Sequence, residues 1–216
     1  MCAIIGFTSP SLKKEQVLPY FEKTKSRGPD DTRLEIAGSG MLGFHRLAIM
    51  GLHPEGMQPF RRGGDLAVCN GELYGFRPVK KALEAKSYVF ASDSDCEIIL
   101  PLWQEYGVEM FAGLDAEFAM IIYDSASDSL VAARDPIGIR PLFYGYLADG
   151  SIIFASEAKN LVGLCAHVFP FPPGHYYKDG KFVRYADLTT VTKYSDDDLD
   201  TVTKKIREKL ISAVEK

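Results

Sequence analysis

The chain has 216 residues, 46% of them hydrophobic, and a formal net charge of −4. That length buries a substantial core, and that composition excludes a disordered segment. No cluster of Lys and Arg interleaved with aromatics occurs, which excludes a nucleic-acid surface, and no apolar run reaches membrane-spanning length.

The predicted elements begin at the N-terminus itself. Residues 2–7 are small and β-branched and read as a buried strand, with neither the basic nor the apolar region of a secretory signal before it. Residues 12–25 read as a helix, with Leu12, Val17, Leu18, Phe21 and Thr24 on one face. Arg27-Gly28-Pro29-Asp30-Asp31 breaks it. Residues 32–37 and 41–49 form a hairpin around Gly38-Ser39-Gly40, and a loop covers 50–60. A short strand over 65–70 runs into Gly71-Glu72, followed by a charged, exposed helix at 78–86. Residues 95–106 are predicted helical, with Ser94 as N-cap and Pro101 as a kink or a lost backbone hydrogen bond. Strands follow at 116–123, 130–134, 142–146 and 151–155, rich in Ile, Val, Phe and Tyr. Strands and helices in this order favour an α+β fold with two packed sheets. Residues 195–216 differ: Leu199, Val202, Ile206, Leu210 and Val214 make one apolar helical stripe behind a Ser195/Asp198 capping-box-like start.

Four cysteines, at 2, 69, 96 and 165, include no C-x-x-C pair. Cys69, Cys96 and Cys165 read as reduced, mostly buried thiols of a cytoplasmic protein. Cys2 differs by position. A thiolate is the nucleophile, and a free α-amine titrating near 7.7–8.0 is a well-matched base. Removal of Met1 places both groups on one residue, the N-terminal version of a nucleophile–base pair. Amide attack also needs two donors for the oxyanion, which the Asn70 amide and the Gly71 N–H supply from a strand end. An amino-acid substrate needs a cation for its carboxylate and an anion for its ammonium. Arg46, in His45-Arg46-Leu47-Ala48-Ile49, and Asp95, in Ser92-Asp93-Ser94-Asp95-Cys96-Glu97, suit those roles. Each residue alone also fits an ordinary structural reading: strand start, turn, surface arginine, helix cap.

Taken together, these segments resemble the class II glutamine amidotransferases. The matching blocks are Cys2-Ala3-Ile4-Ile5-Gly6, Arg27-Gly28-Pro29-Asp30, Arg46-Leu47-Ala48-Ile49, Gln58-Pro59 and Asn70-Gly71-Glu72-Leu73-Tyr74. Further along come Ser94-Asp95-Cys96-Glu97, the block from Ala133 through Asp135-Pro136-Ile137-Gly138-Ile139-Arg140-Pro141 to Leu142, Phe154-Ala155-Ser156-Glu157-Ala158-Lys159 and Pro172-Pro173-Gly174. The Arg-Gly-Pro-Asp and Arg-Leu-Ala-Ile blocks are most similar to the glutaminase domain of the asparagine synthetase branch. The resemblance implies a four-layer αββα sandwich of the N-terminal-nucleophile hydrolase type over 1–190, with 191–216 a helical connector towards a synthetase domain. It implies Cys2 as nucleophile, Asn70 and Gly71 as oxyanion hole, Arg46, Glu72 and Asp95 as glutamine ligands, and Arg27 as a brace for the first strand. L-Glutamine would pass through a glutamyl thioester to glutamate and ammonia, with no metal and no cofactor for that half-reaction.

ATP and magnesium are expected only with an ATP-dependent synthetase domain, in cis or in trans, because the chain has neither that domain's Ser-Gly-Gly-x-Asp-Ser motif nor a P-loop. The chain therefore reads as the glutaminase portion alone; a homodimer is left open. Two departures from the family pattern stand out: Gly75, where Asn is common, which is expected to loosen its loop, and Ala116, where Gly is common. Two other readings compete: the relatives that supply ammonia for glucosamine-phosphate or phosphoribosylamine synthesis, and a non-catalytic binding module on the same fold.

Overall fold

A computed structural model describes residues 1–215. In chain order the elements are β1 (Ala3–Thr8), α1 (Lys14–Phe21), β2 (Asp31–Ala37), β3 (Gly40–Arg46), β4 (Phe60–Arg62), β5 (Asp65–Leu73), α2 (Phe76–Glu84), α3 (Ile99–Tyr106), α4 (Met110–Gly113), β6 (Ala116–Asp124), β7 (Ser129–Arg134), β8 (Phe143–Tyr146), β9 (Ile152–Ala155), β10 (Val168–Pro170), β11 (His175–Lys178), β12 (Lys181–Arg184) and α5 (Leu199–Val214). Two six-stranded sheets result, ordered β10-β8-β9-β1-β3-β2 and β12-β11-β7-β6-β5-β4. All pairings between these strands are antiparallel.

Side-chain alternation along the strands builds the layers. On β1, Ile5 and Phe7 face α1 with Val17 and Phe21, while Ile4 faces the opposite sheet. On β5, Leu66 and Val68 meet Ile4, Leu42 and Phe44 between the sheets, whereas Ala67 and Cys69 face the helical layer that contains Phe76, Leu83, Ile99 and Leu102. Three apolar clusters thus separate helix, sheet, sheet and helix, the four layers expected.

Several predicted elements are redrawn. The helix expected over 12–25 is an eight-residue α-helix containing Pro19, followed by a 3-10 segment, Glu22–Arg27. The carbonyls at that transition are taken by side chains: Asn160 Nδ2 donates to Tyr20 O at 2.8 Å and Thr24 Oγ1 to Phe21 O at 2.9 Å. Residues 95–106 begin as a 3-10 turn, Asp95–Ile98, and the α-helix starts only at Ile99, so Pro101 falls in its first turn, where its missing N–H costs little. Ser94 makes no side-chain cap. The helix expected at 78–86 starts at Phe76 and is not simply exposed, because Phe76 and Leu83 are buried. Gly75 precedes it at φ 61°, a left-handed conformation that Gly and Asn both adopt, so the departure from Asn keeps the backbone the position needs. The short strands β4 and β10 and the hairpin β11–β12 have no counterpart among the predicted elements.

The chain divides into two compact units, Met1–Ala186 and a second beginning at Asp187, where the sequence placed the change at 190/191. The second unit holds α5, which carries all five residues of the apolar stripe. Its N-cap is Asp198, whose Oδ1 accepts the Thr201 N–H at 2.7 Å; Ser195 instead bonds Asp197 at 2.7 Å, so the helix starts at Leu199 and not at 195. The predicted helix end at Lys216 lies outside the described residues.

Candidate active site

The same alternation that builds the core assembles the site. Cys2 packs with Ile4 on the inter-sheet side of β1. Ala3 pairs with His45 across β1 and β3, so the residue after His45, Arg46, turns to the inter-sheet side with Phe44. His45 turns the other way and stacks on Phe21 at 3.7 Å between ring centres. On β5 the even-numbered residues face inward, which puts Asn70 and Glu72 opposite Cys2. These groups converge on one cavity of about 120 Å³ at the sheet edge, together with Gly71, Gln58, Asp95, Cys69, Cys96 and Arg140. Such a volume is roughly ten times what a single water requires.

The strand bearing Asn70 is held from both sides. Gln58 Oε1 accepts the Cys69 N–H at 2.6 Å and its Nε2 donates to Cys69 O at 3.2 Å. Asp95 Oδ2 accepts the Leu73 N–H at 2.7 Å. Odd-numbered N–H groups of β5 point to this edge, away from β6. The Gly71 N–H therefore points there too, between the two that Gln58 and Asp95 have taken. Its strand partner Phe118 spends its own backbone groups on Asp135, the Asp135 N–H donating to Phe118 O at 2.9 Å and the Phe118 N–H to Asp135 Oδ2 at 3.3 Å. A Cβ on Gly71 would meet Glu117 O at 2.6 Å, so only glycine fits this approach. Asn70 is 2% exposed, and its Nδ2 is a buried donor with no partner among the described residues. Buried donors are almost always satisfied, so an orphan lining a cavity marks a place for an acceptor.

The charges are as unbalanced as the hydrogen bonds. Arg46 is 7% exposed and donates from Nη1 to His53 O at 3.3 Å and from Nη2 to Gly51 O. Both acceptors are neutral carbonyls, and no carboxylate pairs with it among the described residues. A buried cation without a counter-ion is costly unless a ligand supplies one. Asp95 is 4% exposed, and burial pushes its carboxyl up, opposed by the backbone N–H of Leu73. Burial and then Asp95 also push Glu72 up. The cavity thus offers a place for one anion beside Arg46 and one cation beside Asp95 and Glu72.

Cys2 Sγ accepts the Leu47 N–H at 3.3 Å and lies 3.6 Å from Leu47 O. Burial pushes the thiol up, against the Leu47 N–H and the Met1 ammonium, which pull it down. With Met1 in place the Cys2 nitrogen is a peptide amide and has no lone pair for proton transfer. Arg27 lies outside the cavity, behind Cys2. Its Nε donates to Cys2 O at 3.1 Å and its Nη1 meets Glu157 Oε1 at 2.9 Å. Ser156 adds a second clamp, its Oγ accepting the Ile4 N–H at 2.8 Å and its N–H donating to Ile4 O at 2.9 Å. Every residue named from the sequence is therefore at the cavity or braces it. Leu47, Gln58 and Arg140 lie in the matching blocks, where the sequence assigns them no role, and Glu117 carries no sequence signal of its own.

Solved structures share the fold, two of them as follows. Glutamine phosphoribosylpyrophosphate amidotransferase from B. subtilis, complexed with ADP and GMP, superposes with a TM-score of 0.68 at 19% identity over 86% of this chain and 49% of its own. A structure described as the allosteric regulatory enzyme of purine biosynthesis gives 0.60 at 23% identity over 86% and 43%. Among curated relatives, the probable asparagine synthetase of Dictyostelium discoideum is 37% identical over 86% of this chain, and the asparagine synthetase of Sandersonia aurantiaca 38% over 85%. This chain spans about a third of the length of each, 35% in both cases. Residues 1–176 match the model of the glutamine amidotransferase domain, and because that stretch includes both sheets' central strands and the whole cavity, the chain belongs to the glutamine amidotransferase family.

Proposed function

We propose that this chain hydrolyses L-glutamine to glutamate and ammonia through a glutamyl thioester on Cys2. The observation that carries this reading is the orphaned Asn70 Nδ2 in the same cavity as the Cys2 thiol, two carboxylates and a buried Arg46 that no carboxylate pairs among the described residues. Those groups match a zwitterionic amino acid with an amide at its far end. Removal of Met1 frees the α-amine, which takes the thiol proton. The sulfur attacks the side-chain carbonyl, and the oxyanion falls to Asn70 Nδ2 and the Gly71 N–H. The amine returns the proton to the departing ammonia, and water, deprotonated by the same amine, cleaves the thioester. Arg46 holds the α-carboxylate, Asp95 and Glu72 the α-ammonium, and Arg27 keeps the Cys2 carbonyl fixed while the sulfur moves between states.

Arg46 supplies a charge-assisted contact of about 1.5–3 kcal/mol, so Arg46→Ala is expected to raise KM for glutamine by roughly tenfold or more. Steady-state kinetics check it: an unchanged KM would remove Arg46 from the substrate site.

The asparagine synthetases among the relatives suggest the destination of the ammonia: an ATP-dependent domain, in cis or in trans, that amidates aspartate with ATP and magnesium. This chain alone is expected to release ammonia from glutamine and to make no asparagine when aspartate, ATP and magnesium are added. Chromatography of that mixture decides the point. Asparagine in it would reveal a nucleotide site within these 216 residues. A cytoplasmic location, a reduced thiol set and a homodimer open to test by light scattering belong to the same proposal.

A further inference from the structure

Glu72 and Glu117 stand directly opposite each other on β5 and β6. The alternation places both side chains on the inter-sheet face, and like charges at opposed positions destabilise a strand pair. Arg140 offsets that cost: its Nη2 lies 2.5 Å from Glu117 Oε1, and both side chains are largely shielded, at 15% and 21% exposure. The backbone at Arg140 is preset for this. Asp135, 1% exposed, accepts the N–H groups of Ile137, Gly138 and Ile139 on Oδ1 and that of Arg140 on Oδ2 at 3.0 Å, while Arg140 O accepts Arg134 Nε at 2.7 Å. Arg140 also lines the cavity beside Glu72, and its Nε is buried with no partner among the described residues.

We propose that Arg140 is a positioning residue for substrate binding: by neutralising Glu117 across the strand pair, it holds Glu72 as an acceptor for the ammonium group of the bound amino acid. This rests on the reading of the cavity as a glutamine site. The charged groups facing Glu72 are Asp95 from the turn before α3, Arg140 from the loop after β7 and Glu117 from β6, with the Tyr74 hydroxyl also against Glu117. Burial and Asp95 push the Glu72 carboxyl up, Arg140 pulls it back, and Glu117 adds a smaller push. Loss of Arg140 therefore raises it further, and ammonium binding should be lost at a higher pH on acidification.

Calorimetric titration of L-glutamine into Cys2→Ala protein, which cannot turn it over, reads this directly across the acid range. Adding Arg140→Gln is expected to weaken binding roughly tenfold, the scale of one charge-assisted contact, and to move the acid limb of the binding curve to higher pH. Adding Glu117→Gln as well should restore part of the affinity, since the opposing charge is gone; a purely structural arginine would not be rescued at all. Glu117→Gln alone should move the acid limb to lower pH, and this arm stands even where Arg140→Gln protein does not fold. No glutamine binding to the Cys2→Ala protein overturns the functional reading and this inference with it. Binding whose affinity and acid limb ignore all three variants overturns this inference alone.

Discussion

Cys2→Ala protein is expected to release no ammonia from glutamine above the buffer blank. The expectation follows from position and not from reactivity alone. Cys69 and Cys96 also line the cavity, but both are buried, at 1% and 3% exposure, and the Cys96 thiol is pushed well up by its contact with Cys69 and by burial. Cys165 is pushed up to about 11 by burial and lies outside the cavity. None of the three adjoins an amine that titrates near neutrality, whereas Cys2 acquires one when Met1 is removed. The substitution deletes a single sulfur at the end of β1, while the Arg27 bond to the Cys2 carbonyl and the Ser156 clamp on Ile4 are backbone contacts that survive it. The melting temperature should therefore shift by no more than about 4 °C, the scale of 1 kcal/mol in a domain of this size. Cys69→Ala, by contrast, should lower stability through a core cavity and leave hydrolysis in place. Turnover by folded Cys2→Ala protein would assign the nucleophile elsewhere.

Asn70→Ala should lower kcat by about 10²–10³-fold with a smaller effect on KM. Nδ2 has no partner among the described residues, so its contact forms with the oxyanion and does not have to be taken from another acceptor. Asn70→Asp should be at least as damaging, because it places an acceptor where charge develops. The strand itself should hold in both variants: Gln58 on the Cys69 backbone and Asp95 on the Leu73 N–H fix β5 on either side. Kinetics in which KM rises and kcat stays constant would make Asn70 a ground-state ligand and leave the oxyanion without its side-chain donor.

Much of this arrangement is legible in the sequence because strand alternation is a local code. Ile4, Phe44, Val68 and Ala119 face one another between the sheets, and the polar residues in phase with the first three, Cys2, Arg46, Asn70 and Glu72, are carried to the same face at the sheet edge. The helix starts are less legible. Asp95 carries a ligand-like carboxylate but sits in a 3-10 turn, because its Oδ2 is spent on the Leu73 N–H of another element rather than on capping its own helix. Pro19 and Pro101 are visible in the sequence, but whether each interrupts a helix depends on where that helix begins, which tertiary contacts decide. The pairing of Glu72 with Glu117 and its neutralisation by Arg140 are not legible at all. They depend on a strand register that pairs residues 45 apart in the chain and on a loop folded around Asp135. The hairpin of β11 and β12 is similarly hidden, since β11 is half-buried at every residue and β12 is mostly exposed, so neither shows a clean alternation.

The central claim is that the Cys2 sulfur, on a chain shorn of Met1, forms the covalent bond to glutamine. Peptide mass spectrometry after treatment with a glutamine analogue bearing a diazoketone in place of the side-chain amide tests it most directly. The expected result is one adduct, on an N-terminal peptide that begins with Cys2, appearing in step with the loss of glutamine hydrolysis. An adduct on Cys69, Cys96 or Cys165 that tracks the loss of activity, or full activity in protein that retains Met1, would contradict it.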